Sequence, residues 1–166
     1  MAAAIVTVSA LLLIVAGAAK VISPDPASDA LGVVGLPSHP TLVRIGSGLE
    51  VGVGLFALLV AGPIGPVLLA LSYGAFAIFI VMLRREPDAA SCGCFGAEGE
   101  VPSVRHVVVD SALAIGCLIA AVTAAPSTMG LLRGDLPLGI AFLIICAMGA
   151  WLAGLVLGAT PLGSES

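Results

Sequence analysis

The residues of this chain best suited to covalent chemistry are two cysteines one residue apart, in Ser91-Cys92-Gly93-Cys94-Phe95-Gly96. A Cys-X-Cys pair can close a small, strained disulfide, and the intervening glycine permits the backbone conformation this needs. Strained disulfides are the readily reduced ones, suited to exchange rather than to stapling. Gly96, Gly99, Glu98 and Glu100 make the surroundings small and polar, so solvent or a partner can reach the thiols. The two other cysteines, Cys117 and Cys146, lie inside apolar runs, where a free thiol packs as a small hydrophobe. A metal reading needs more ligands. His39 and His106 would complete a set of four with Cys92 and Cys94, but the spacing is not that of a zinc module, so no metal site is assigned. A juxtamembrane cysteine is also a potential palmitoylation target, which is the inert alternative to a redox pair.

The elements that must position this pair are membrane spans. The 166 residues are 60% hydrophobic and 10% charged, and mean hydropathy is +1.22. A soluble fold this small leaves much of its surface exposed and could not hide so much apolar area, whereas lipid solvates it. One membrane-embedded domain spanning 1–166 is the expected organisation. The net charge of −4 comes with no basic patch, which excludes a nucleic-acid surface. A crossing needs about 20 apolar residues of helix. Runs at 2–22, 41–62, 67–83, 107–125 and 136–158 approach or meet this, so the sequence predicts an all-α, polytopic transmembrane bundle of four or five helices. The segment 84–106, with the cysteines, joins the third and fourth spans. Gly62-Pro63-Ile64-Gly65-Pro66 is a breaker between the second and third. Gly17-Ala18-Ala19 resembles a signal-peptide cleavage site, but Met1-Ala2-Ala3-Ala4 lacks the basic start of one and the run is long, which favours a retained span.

Polar residues inside the spans are the second source of chemistry. Glu50 is the costliest, at about 3 kcal/mol near the bilayer centre on insertion scales, so it must face the bundle and find a partner or a proton. Gly46, Gly54 and Ala57 share roughly its face, and Lys20 and Arg44 are the candidate partners. It reads either as a structural pin between helices or as a proton carrier. Small residues spaced by four, Gly48 with Gly52 and Ala57 with Ala61, are expected to let helix backbones approach. His106, Asp110 and Cys117 fall on one face of the fourth span. Cys117 lies roughly 15 Å along the helix from His106, too deep to pair with the loop thiols.

The Ser91–Gly96 hexapeptide between the third and fourth spans resembles that of the methylamine utilisation MauE family, and the first half is similar to the wider DoxX-like group. Ala16-Gly17-Ala18-Ala19-Lys20 ends the first span in that style, and Gly35-Leu36-Pro37 precedes a second span carrying Gly48-Leu49-Glu50-Val51-Gly52. The resemblance covers roughly 11–125. It implies a small multi-pass, redox-associated protein of the cell membrane that assists disulfide formation or maturation in client proteins, as in methylamine dehydrogenase biogenesis, together with a thioredoxin-like partner. On this resemblance Cys92 and Cys94 are the redox pair.

The expected activity is thus thiol–disulfide exchange, with Arg105 or His106 supplying positive charge to offset Glu98 and Glu100. A non-catalytic membrane scaffold or carrier subunit is the alternative. No cofactor is evident; a quinone acceptor between helices is compatible with the chemistry, but no residue pattern marks one. The side of the membrane stays open. Five of the 6 basic residues, Lys20, Arg44, Arg84, Arg85 and Arg105, flank the cysteine side, which the positive-inside rule places in the cytoplasm. A role in maturing exported clients places the same loop outside, where disulfides persist.

Overall fold

The computed structural model describes residues 2–86, 103–123, 128, 130 and 134–158. Cys92 and Cys94, with Glu98 and Glu100, lie outside the described residues. Among the described residues the helices are, in order, α1 (Ala2–Ile22), α2 (Asp25–Val33), α3 (Pro40–Leu59), α4 (Ile64–Leu83), α5 (Val104–Val122) and α6 (Leu136–Gly158). The protein is an all-α bundle, and α1, α3, α4 and α5 are long and apolar enough to cross a membrane. Large apolar side chains face outward on every one of them, Val15, Leu49, Leu71 and Ile115 among them, where lipid tails replace a protein core. Helices suit this solvent because all their backbone polar groups are satisfied within the segment.

Local sequence sets where the helices start and stop. Pro40 occupies the first turn of α3, where its missing N–H costs nothing, and the His39 ring accepts a hydrogen bond from Thr41 N at 3.3 Å as the cap. The expected breaker ends α3 at Leu59 and lets α4 begin at Ile64, with Gly62 in the left-handed region at φ +117°. The short α2 has no counterpart among the spans expected from hydropathy. It is nine residues long and carries Asp25 and Asp29, so it is too short and too polar to register as a span. Leu36 N and Gly35 N close it by hydrogen bonds to Leu31 O and Gly32 O, with Gly35 at φ +74°. Ala30 of α2 packs with Ile80 and Leu83 at the end of α4, and Ser28 Oγ donates to Ser38 O. The helix thus caps one end of the bundle.

The packing order is α1 along α3 and against α5 and α6, α4 along α5, and α3 against α4. One core joins Val6, Ala10 and Leu13 of α1 to Ala57, Leu69, Ala70, Tyr73, Cys117 and Ala120 of α3, α4 and α5. Close approach depends on glycines other than those expected from spacing. Gly48 and Gly52 are exposed, and a Cβ at either would meet nothing within 4 Å. They face away because α3 turns the face bearing Ser47, Gly54 and Ala57 toward its neighbours instead. There a Cβ on Gly17 would lie 2.8 Å from Ser47 O, one on Gly54 2.8 Å from Ala10 O, and one on Gly65 2.8 Å from Ala57 Cα. Ala57 is buried as expected, while Ala61 is exposed.

Gly54→Leu is therefore expected to destabilise the bundle by at least about 1–3 kcal/mol, as over-packing does. Gly48→Leu should stay within about 0.5 kcal/mol of the parent. Thermal unfolding of the two variants in one detergent checks the contrast; equal losses would place α3 in a different rotation.

Candidate functional site

Antiparallel packing brings the end of α1, the start of α3, the end of α4 and the start of α5 to one end of the bundle. The segment that carries the cysteines leaves α4 and enters α5 at that same end. Here the polar intramembrane residues converge. Lys20 Nζ donates to Glu50 Oε1 at 2.7 Å and lies 2.6 Å from Oε2, which sits off the hydrogen-bond direction. Both side chains are largely buried, at 10% and 17% exposure. The ammonium also stands over the Phe76 ring, 4.7 Å from its centroid. A cation over an aromatic face gains further attraction when water is excluded. Of the two partners open to Glu50, the structure thus selects Lys20; Arg44 is exposed.

Asp110, one turn into α5 from His106, lines the same cavity as Lys20. His106 is 5% exposed; its Nδ1 shares a 2.8 Å hydrogen bond with Ser103 Oγ, and among the described residues its Nε2 has no partner. Arg105, its neighbour, is exposed. The two candidate supports for the thiols therefore point into different environments. His39 is engaged as the α3 cap, and no group of three or more His, Cys, Asp or Glu side chains converges on a metal position among the described residues.

Lys20, Glu50, His106 and Asp110 all line one cavity of about 340 Å³. Its other walls are apolar: Leu12, Leu13 and Ala16 from α1, Ala27 and Leu31 from α2, and Phe76 and Phe79 from α4. Leu42 and Gly46, on α3, are exposed, so this wall reaches the outer surface of the bundle. Tyr73 closes the inner end, donating from its hydroxyl to Ser9 O at 2.7 Å and meeting Phe76 edge to face. Sequence reasoning did not single out Tyr73 or Phe76. The available signal was a hydroxyl-bearing aromatic in an otherwise apolar span, since a buried Tyr O–H needs a partner.

Cys117 shares its α5 face with His106 and Asp110 but does not reach the cavity. It is fully buried and donates to Ser9 Oγ at 3.4 Å. Cys146 is buried as well. Both thiols are packing groups.

A helical membrane bundle with an ion-paired polar cluster at one end defines a small multi-pass membrane protein with an intramembrane polar site. Residues 1–125 of the 166 match the family model described as methylamine utilisation protein MauE, and the chain belongs to that family. The match contains α1 to α5 and the Cys-Gly-Cys segment, and ends before α6. Neither a curated protein nor a solved structure matches the chain significantly.

The Lys20–Glu50 pair yields a direct test. Truncating one partner of a buried pair costs about 3–5 kcal/mol because a charge is left uncompensated, whereas replacing both with apolar groups is often near neutral. Lys20→Met should sharply lower membrane accumulation and thermal stability, and Lys20→Met/Glu50→Leu should recover most of the loss. Additive losses in the double variant would show that the two side chains do not form one unit.

Proposed function

We propose that this MauE-family membrane protein carries out thiol–disulfide exchange through Cys92 and Cys94, in the cell membrane, in the maturation of disulfide-containing client proteins. The observation that carries this reading is the Ser-Cys-Gly-Cys-Phe-Gly hexapeptide inside the family match. In sequence it falls between α4 and α5, and the end of α4 and the start of α5 lie where the polar cavity is. In support, the two described cysteines are buried packing groups, which leaves the loop pair as the thiols available to a partner.

In the oxidising direction, a client thiolate attacks one sulfur of the Cys92–Cys94 disulfide and displaces the other as thiolate. The resulting mixed disulfide is resolved by the client's second thiolate. The loop pair ends as a dithiol and the client as a disulfide. In the reducing direction the same steps run backwards, with a thioredoxin-like protein as partner. Five basic residues lie at this end, and Arg44, Arg84, Arg85 and Arg105 are exposed there, where they favour a thiolate over a thiol.

The decisive experiment traps the intermediate. Expressed with its native background, Cys94→Ser or Cys92→Ser should accumulate a reducible adduct with a thioredoxin-like or client protein, visible on non-reducing gels and identified by mass spectrometry. Full client oxidation by the double variant, without adduct, would instead identify a non-catalytic scaffold. The side of the membrane follows from labelling with an impermeant maleimide after mild reduction. Labelling of Cys92 and Cys94 in sealed cells is expected if the pair oxidises exported clients. Labelling only after the membrane is opened would match the charge bias of the loops. Cys117 and Cys146 should stay unlabelled in both cases, as both are buried.

A further inference from the structure

We propose that the cavity bounded by α1, α2, α3, α4 and α5 is a binding site for a membrane-soluble quinone, with His106 Nε2 as the group that holds a quinone carbonyl. The inference rests on the thiol-exchange reading for its redox role, but the binding site stands on the cavity's own features. At about 340 Å³ it lies within the range of small-molecule sites, roughly 300–1,000 Å³. It is apolar along its length, with aromatic rings from Phe76 and Phe79 in its wall and polar groups gathered at one place. Its wall at Leu42 and Gly46 meets lipid, which is the phase from which a quinone arrives.

The polar groups select the head of the ligand. The Lys20 charge is already matched by Glu50, and Asp110 adds a second carboxyl to the lining of the cavity. Another carboxylate or phosphate would enter next to two acidic groups with no free cation among the lining residues, so an anionic lipid head is disfavoured. A neutral acceptor is not. His106 is 5% exposed, lines the cavity and has no partner on Nε2 among the described residues. In the tautomer in which Ser103 Oγ donates to Nδ1, the ring proton sits on Nε2 and is free to bond a carbonyl oxygen. A buried unpaired donor costs free energy that such a ligand returns.

Electron balance gives the class of ligand. Each client disulfide leaves Cys92 and Cys94 as a dithiol. Restoring their disulfide breaks two S–H bonds, forms one S–S bond and releases two electrons and two protons. A quinone takes up both electrons and both protons, forming two O–H bonds as quinol, and it does so from within the bilayer. His106 is 12 residues from Cys94 along the chain, at the start of the helix that the cysteine segment enters.

The test uses the full chain in phosphatidylcholine nanodiscs with a photoreactive azidoquinone, competed by decylubiquinone and by a naphthoquinone. Saturable labelling of α3, α4 or α5 peptides is expected, displaced by at least one competitor. Gly46→Leu should weaken it at least tenfold. A Cβ there meets no neighbour within 4 Å, so the larger side chain can be accommodated in the mouth of the cavity that Gly46 lines. His106→Phe should weaken it to a similar degree, and Gly48→Leu, outside the cavity, should not change it. The Cys92→Ser/Cys94→Ser variant should bind quinone normally. Labelling that is non-saturable, or equal in the parent and Gly46→Leu, overturns the site and identifies the cavity as lipid-filled. Mixed-disulfide trapping without quinone binding would overturn this proposal and leave thiol exchange standing. Quinone binding without any trapping would support the site and remove its link to the loop thiols.

Discussion

The structure is organised around a single electrostatic constraint, the pairing of Lys20 with Glu50 inside apolar spans. Each charge alone in hydrocarbon would cost several kcal/mol, and α1 and α3 are committed to one another by the need to avoid that. The pair fixes their antiparallel register, because Lys20 must meet Glu50. It also fixes their separation. A Lys–Glu contact this direct requires closely packed helices, and the backbones approach where Gly17 meets Ser47 and Gly54 meets Ala10. Phe76 then positions α4, since its ring takes the open side of the ammonium. In a membrane, where no hydrophobic force drives helices together, such polar contacts and close packing carry more of the specificity.

From this constraint the cavity follows. A salt bridge between two flexible side chains cannot be packed as tightly as a cluster of Leu and Ala. Gly46 contributes no side chain on the neighbouring turn, and α2 covers the end without filling it. The remaining space collects the other polar groups of the bundle's end, Asp110 and His106, which find neither lipid nor an apolar core acceptable. The polar end of the bundle is therefore a consequence of where the ion pair could be placed.

Much of this was legible in the sequence. Hydropathy gave α1 its range and located α3, α4, α5 and α6 within a few residues, because spans of about 20 apolar residues are the strongest pattern a chain can carry. Glu50 stood out because of its cost, and Lys20 was named among its two possible partners. The rotation of α3 was not legible. Gly48 and Gly52 fit the small-xxx-small spacing as well as any glycines in the chain, yet they face outward. One-dimensional spacing identifies which residues share a face, but not which face meets a neighbour; the buried charge decides that. The short α2 and the cavity beneath it were also hidden, since they arise from contacts between segments far apart in sequence.

The distribution of buried polarity separates two kinds of group. Away from the loop end, the buried polar side chains among the described residues include hydroxyls and a thiol with assigned partners: Tyr73 to Ser9, Cys117 to Ser9, and Thr7 to Thr128. These fasten one segment to another, each engaged by a hydrogen bond to backbone or to another side chain. The carboxyls and the imidazole sit at the other end, around the cavity. Val6, Ala10, Leu69, Ala70 and Ala120 fill the space beyond Tyr73 with apolar packing. Among the described residues, the carboxyls and the imidazole that line the cavity are thereby separated by apolar packing from the opposite end of the bundle.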